Sequence, residues 1–114
     1  MSLNITWEFE DGIRVAMLNG RVDSRNALLF KETVTAELAE DDRVLILDFA
    51  GLDYISSAGL RVVLELAKLY SAPRQFLICS LSSAVQEVFE ISGFTQIIKL
   101  CKTLDQAKES LQAS

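Results

Sequence analysis

The stretch that decides the fold is Val44–Leu60, which reads VLILDFAGLDYISSAGL. Its first four residues are all aliphatic, which is typical of a central strand covered on one or both faces. A helical pattern starts at Ala58, so we predict that Asp48–Gly59 is a loop joining this strand to a helix. That loop carries two serines, Ser56 and Ser57, to the helix entrance.

A serine at a helix entrance has two possible roles. Its hydroxyl can cap free backbone N–H groups, which stabilises a helix by about 1 kcal/mol. If it is phosphorylated, it brings about −1.5 to −2 charges to the positive end of the helix dipole. The loop can therefore hold a structural cap and a charge switch, and position alone does not decide between them.

Length and charge limit the classes of function. The chain has 114 residues, half of them hydrophobic, so we expect residues 1–114 to form a single domain with a real core. A net charge of −5 argues against a nucleic-acid or anionic-membrane surface. No apolar run approaches the ~20 residues that span a bilayer. The first residues, MSLNIT, lack the pattern of a signal peptide. We therefore expect a cytoplasmic protein with no membrane insertion.

Residues that usually carry catalysis are scarce. The chain has no histidine, which removes the commonest general base and metal ligand. The two cysteines, Cys79 and Cys101, lack metal or redox spacing, and Cys79 is predicted to be a core residue. No Ser-His-Asp triad is possible, and we predict no cofactor and no metal. A small enzyme acting through Asp23, Asp48 and Ser57 stays open as an alternative.

The first half of the chain predicts a hairpin and a helix. Residues 3–9 and 13–18 read as strands around an Asp11-Gly12 turn. The pattern then breaks at Gly20–Ser24, and either Asp23 or Ser24 is placed to cap the helix that follows. Apolar residues recur there with a helical period, at Ala27, Leu28, Val34, Leu38 and Ala39.

The second half predicts further strand–helix units. Residues 58–70 read as a helix and residues 76–79 as a buried strand. Ser82 or Ser83 is expected to cap the next helix, which ends before Gly93. The remaining assignments are an inward-facing helix face of Val85, Val88, Phe89 and Ile91, a strand at Ile97-Ile98 and a last helix capped by Thr103.

The resulting order, β-β-α-β-α-β-α-β-α, is typical of an α/β fold, a mixed sheet with helices packed on it. Functional sites in such sheets gather at the carboxyl ends of parallel strands. The Asp48–Gly59 loop leaves one such end. Gly20–Ser24 leaves another if the two strands are parallel neighbours, so we expect both segments to meet at one edge.

Three separated segments resemble one known family. They are YISSAGLR at residues 54–61, with Asp48 and Leu52-Asp53 before it, GRVDS at residues 20–24 and VFEISGF at residues 88–94. Together, and in this order, they are similar to STAS domains of the bacterial anti-sigma-factor antagonist type. The resemblance spans roughly residues 3–111 and implies the STAS fold, which agrees with the element order.

The resemblance implies a regulatory binding module without catalysis of its own. Such proteins bind an anti-sigma factor, often a serine kinase, and so free a sigma factor. The kinase phosphorylates the serine two residues before the glycine of Gly-Leu, here Ser57, and the complex dissociates until a serine phosphatase restores it. We expect a monomer or weak dimer. The partner surface implied by the motifs contains Asp23, Ser24, Tyr54, Ile55, Ser56, Ala58, Gly59 and Arg61.

Two expectations complete this hypothesis. A phosphate on Ser57 should lie near Asp23, Asp48 and Asp53, so that its charge is not compensated at an interface. The alternative within binding modules is a STAS subunit of another assembly, such as a lipid-transport complex or a stress-signalling scaffold.

Overall fold

The computed structural model describes residues 3–112, which form a five-stranded sheet with helices on both faces. A short 3-10 turn at Phe94–Gln96 precedes the last strand. The elements are β1 (Leu3–Glu10), β2 (Ile13–Val22), α1 (Ala27–Glu37), β3 (Val44–Ile55), α2 (Ser57–Leu69), β4 (Gln75–Cys79), α3 (Ser83–Ile91), β5 (Lys99–Cys101) and α4 (Leu104–Gln112).

The strands are ordered β1-β2-β3-β4-β5 across the sheet. β1 and β2 form the predicted antiparallel hairpin, and its turn uses positive φ angles at Asp11 and Gly12, 55° and 80°. The pairs β2–β3, β3–β4 and β4–β5 are parallel. The predicted mixed sheet and element order are thus confirmed.

Each face of the sheet has its own core. Helices α1, α2 and α3 cover one face, where the rings of Phe30, Phe49 and Phe89 are fully buried. Helix α4 covers the other face through Ala107, against a cluster that includes Cys79. Burial raises the pKa of Cys79 to about 12, so this thiol stays protonated at neutral pH. The core role predicted for Cys79 is confirmed.

Two predicted breaks are wrong because β2 and β3 are longer than the sequence suggested. β2 continues through Gly20 to Val22, and β3 continues through the predicted Asp48–Gly59 loop to Ile55. These glycine- and aspartate-containing segments look like loops when each is read alone. Both segments form strand because each supplies the backbone hydrogen bonds of the other. Shifts in the pairing register accommodate Gly20, whose φ is 115°.

Smaller errors concern single elements. Ile97-Ile98 is not a strand, because the Ile98 N–H donates back to the Phe94 carbonyl at 2.8 Å and β5 begins only at Lys99. Ile91 was expected to face the core but is 79% exposed, and Leu28, which was counted in the apolar helical period, is 65% exposed. In α1 the core-facing stripe is Ala27, Phe30 and Val34, so Leu28 points away from it. None of the helices within residues 3–112 is both long and apolar enough to cross a membrane.

Candidate functional site

The candidate site lies where β2 and β3 end side by side. Val22 is in register with Ile55, and the Ser56 N–H donates to the Val22 carbonyl at 2.9 Å. The segment after β2 therefore meets the segment after β3 at the carboxyl edge of the sheet. The sequence predicted this meeting on the condition that the two strands are parallel neighbours, and they are.

Helix α2 is capped by Ser56. This residue has extended backbone angles, φ −86° and ψ 173°, and its Oγ accepts a hydrogen bond from the Gly59 N–H at 3.2 Å. Its carbonyl accepts the first intrahelical bond, from Leu60 at 2.9 Å. Ser56, expected from the sequence to be a capping or loop residue, is confirmed as the cap. The capping role considered for Ser57 is therefore wrong.

Ser57 is the first residue inside α2, and it is exposed. Within residues 3–112 its hydroxyl makes no hydrogen bond, so the side chain contributes nothing to the cap. A primary alcohol is thereby presented to solvent at the positive end of a helix dipole. An anion attached to this oxygen would lie where unpaired backbone N–H groups and the dipole favour negative charge.

Gly59 allows α2 to begin close against the strand ends. A Cβ at this position would lie 2.7 Å from Ile55 Cγ1 and 2.7 Å from Val22 Cγ1. Both contacts are shorter than van der Waals packing allows, so a side chain here would push α2 away from the sheet. Gly59 is itself buried. Its role in the geometry is close packing, which fixes the position of Ser57 above the edge.

The Asp23 carboxylate does not cap α1, and neither does Ser24, so that prediction is wrong. Asp23 Oδ1 accepts from the Arg25 N–H at 2.9 Å, a local turn that competes with capping. This N–H bond lowers the pKa of Asp23. The guanidinium groups of Arg21 and Arg25 each lie 3.5 Å from Asp23 Oδ2. The carboxylate is thus ionised and held in one orientation.

Asn26 is a site residue that sequence reasoning missed. It occupies the N-cap position of α1, but its side chain makes no cap hydrogen bond. Instead its Oδ1 accepts from the Asp23 N–H at 2.9 Å and its Nδ2 donates to the Arg21 carbonyl at 3.0 Å. An asparagine before a helical run is a recognisable signal of a helix N-terminus. It does not reveal that the side-chain amide hydrogen-bonds to the backbone of the β2–α1 turn.

Tyr54 and Arg21 form a second exposed part of the edge. They are register partners on β3 and β2, and the Arg21 guanidinium lies 4.7 Å from the Tyr54 ring centroid. Such stacking orients both groups. Tyr54 is 45% exposed despite its size. Arg21 was not among the predicted partner-binding residues.

The other predicted residues differ in exposure. Ser24 and Arg61 are exposed, and Ala58 is half-buried. Ile55 is 4% exposed and Gly59 is buried, so they shape the surface from below and offer it no side chain. The structure thus divides the predicted partner-surface residues into a surface layer and a supporting layer.

Asp48 lies away from this edge, contrary to expectation. It lies in β3 in register with Met17, and its Oδ1 accepts from the Ala50 N–H at 3.0 Å. The neighbouring β2 segment from Met17 to Val22 spans roughly 17 Å at about 3.3 Å per residue. Asp48 is therefore too far from Ser57 to act on its hydroxyl, which weakens the enzyme alternative.

Comparison with known proteins identifies the family. The family model of the STAS domain matches residues 4–107. The chain belongs to the STAS domain family. A relative in Bordetella bronchiseptica, BtrV, is named as a candidate anti-sigma factor antagonist. It is 38% identical to this STAS protein over 113 residues, covering 98% of this chain and 97% of the relative.

Solved structures agree with the STAS fold. An anti-sigma factor antagonist from Mycobacterium paratuberculosis superimposes with a TM-score of 0.90 at 21% identity, covering 97% of this chain and 95% of that one. The anti-sigma factor antagonist SpoIIAA in its unphosphorylated form gives a TM-score of 0.78 at 18% identity, with coverages of 97% and 98%. At these identities the likeness confirms the fold alone.

Proposed function

We propose that this STAS protein is an anti-sigma factor antagonist. It binds an anti-sigma factor through the carboxyl edge of β2 and β3, and phosphorylation of Ser57 ends the binding. The observation that carries the proposal is the exposed Ser57 hydroxyl at the start of α2, which takes no part in the cap because Ser56 supplies it. The name of the relative in Bordetella bronchiseptica supports the same function.

The proposed contact surface combines polar groups with one aromatic ring. Ser57 and Ser24 offer hydroxyls, Arg61 offers a guanidinium, and Tyr54 offers a ring that is 45% exposed. Tyrosine and arginine are enriched among residues that dominate binding energy at interfaces. The surrounding hydrogen bonds of Asp23 and Asn26 hold the β2–α1 turn in place before binding, which lowers the entropic cost of association.

The switch follows from the difference between a hydroxyl and a phosphate. A neutral hydroxyl can enter an interface if it finds one hydrogen-bond partner. A phosphate needs its charge paired or solvated, and an interface that excludes water provides neither unless the partner offers a cation. An uncompensated charge can remove ~3–4 kcal/mol of binding energy, which weakens a complex some hundredfold or more.

The domain itself should tolerate the phosphate. The Ser57 hydroxyl has no hydrogen bond to lose among the described residues, and the start of a helix favours an anion. Phosphorylation therefore acts on the complex and leaves the fold intact. A serine kinase, the anti-sigma factor itself or an associated enzyme, adds the phosphate, and a phosphatase removes it. The STAS protein acts by binding, in the cytoplasm where sigma factors direct transcription.

The test starts with an affinity pull-down from the native extract, followed by incubation of the captured partner with ATP. Wild-type protein should gain one phosphate, and Ser57→Ala should gain none. Ser56→Ala is the matched control, and it should still be labelled because the acceptor is the next residue. Full labelling of Ser57→Ala would overturn the assignment. Recovery of transporter or scaffold subunits instead of an anti-sigma factor would favour the alternative STAS assembly.

A further inference from the structure

Three residues follow one another along the exposed stripe of α2. Ser57, Arg61 and Glu65 are spaced four residues apart, so each lies next to the following one on the helix surface. Ser57 and Arg61 are both exposed. The stripe therefore places a guanidinium one turn beyond the hydroxyl that is proposed to be modified.

Among residues 3–112 the Arg61 guanidinium has no anionic partner in the unmodified protein. Glu65 is the carboxylate best placed to hold Arg61, but its Oε1 lies 3.2 Å from the Nζ of Lys31 on α1. Within residues 3–112 Arg61 forms no salt bridge. The ion pair between Lys31 and Glu65 thus occupies the Glu65 carboxylate. The Arg61 guanidinium stays free to pair with an anion at Ser57.

We infer that Arg61 is the intramolecular counter-ion of the phosphate on Ser57. The inference deepens the proposed function and rests on Ser57 as the modified residue. An anion four residues before a cation is the favourable order on a helix, and a guanidinium binds phosphate oxygens through two N–H groups. Phosphorylation would then complete an alternating row of charges: phosphate, Arg61, Glu65 and Lys31.

The pairing has a consequence for the switch. In the unmodified protein Arg61 belongs to the proposed contact surface, where it can reach an acidic group of the partner. Once the phosphate is present, it draws the same guanidinium back onto α2. One modification then changes two groups of the surface, because it adds a negative charge and withdraws a positive one.

Helix α3 supplies an internal control with the opposite charge. Ser83 is also an exposed first helical residue behind a serine cap, but the residue four positions later is Glu87, which is exposed. A phosphate at Ser83 would face a like charge where the one at Ser57 faces a cation. The two positions therefore separate the effect of Arg61 from the effect of a helix start in general.

The experiment measures the second pKa of the phosphate by phosphorus NMR. Phosphoserine is installed at residue 57 during translation, in the full chain, so that neither kinase nor partner is needed. Arg61→Gln should raise this pKa by about 0.3 pH units, because it removes a cation that favours the dianion. In Arg61→Lys, which keeps a cation, the second pKa of the phosphate should stay close to the wild-type value. Lys68→Gln, also exposed but near the end of α2, should leave the pKa unchanged.

Phosphoserine installed at residue 83 should titrate at a higher pH than phosphoserine at residue 57. Equal midpoints for the wild-type and Arg61→Gln proteins would overturn the inference, and so would an equal shift in Lys68→Gln. Circular dichroism checks that each variant is folded. If the kinase assay fails to label Ser57, the proposed function fails while this titration remains valid, so the two failures are distinguishable.

Discussion

Helices α2 and α3 begin with the same local structure. Each begins within a Ser-Ser pair, and in each pair the first serine has extended backbone angles. The Ser56 Oγ accepts from the Gly59 N–H at 3.2 Å, and the Ser82 Oγ accepts from the Val85 N–H at 3.2 Å. The second serine of each pair, Ser57 or Ser83, is exposed at the first helical position.

The surroundings of the two helix starts differ in three respects. Only α2 begins where two long strands end together, with the Ser56 N–H bonded to the Val22 carbonyl. Its third helical residue is a buried glycine, where α3 has Val85. One turn beyond the exposed serine, α2 carries Arg61 and α3 carries Glu87. The capped serine pair is thus a general helix start, and the neighbouring strand and charges give the pair at α2 its proposed role.

The largest expected effect concerns binding to the anti-sigma factor. Ser57→Asp should weaken the complex a hundredfold or more, because it places an acceptor-only charge in the interface. Ser57→Ala removes at most one hydrogen bond and should cost no more than about tenfold. Ser83→Asp is the matched control, and it should bind as the wild type does. Isothermal titration calorimetry measures all three.

Two results would contradict the proposed role of Ser57 in binding. Equal affinities of Ser57→Asp and Ser57→Ala would place residue 57 outside the interface. Tighter binding by Ser57→Asp would mean that the partner recognises the phosphorylated form, and the direction of the switch would be reversed.

A smaller effect should come from the close packing of α2. Gly59→Ala should lower the free energy of unfolding by about 1–3 kcal/mol, because its Cβ meets Val22 and Ile55 side chains at 2.7 Å. In a Val22→Ala background the same change should cost less, because one of the two obstructing groups, Cγ1 of Val22, is gone while that of Ile55 remains. Urea denaturation of the four proteins gives the coupling. Strictly additive losses would show that Val22 does not limit the approach of α2.

The smallest effect is expected to be the same at both helices. Ser56→Ala and Ser82→Ala should each lower the free energy of unfolding by about 1 kcal/mol, since each removes one cap hydrogen bond of equal length. Thermal melting of the two variants provides the comparison. A much larger loss for Ser56→Ala alone would show that this serine holds the strand edge as well as the helix.

The parts of the fold with a local signal could be predicted from the sequence. Asp11-Gly12 identifies its hairpin turn, the aliphatic run at Val44–Leu47 identifies a central strand, and Thr103 caps α4 as expected, with its Oγ1 accepting from Gln106 at 3.0 Å. The meeting of the two edge segments also followed from strand order, because carboxyl ends of parallel neighbours share one edge.

The parts that depend on a distant partner could not be predicted. Residues 48–55 form a strand because β2 runs alongside them, and nothing in their own composition shows this. The distance of Asp48 from Ser57 follows from that extension. Capping by Ser56 was among the expectations from the sequence and is confirmed. The exclusion of Ser57 from the cap depends on the residue at which α2 begins, and sequence patterns locate helix ends only to within a few residues.

The most direct test of the proposed switch at Ser57 compares the phosphorylated serine at the two similar helix starts. Protein carrying phosphoserine at residue 57, or at residue 83, is titrated into the anti-sigma factor in a calorimeter beside unmodified protein. Phosphoserine at residue 57 should weaken binding a hundredfold or more, while phosphoserine at residue 83 should leave the affinity unchanged. Equal affinities for the two modified proteins would contradict the claim that Ser57 is the switch.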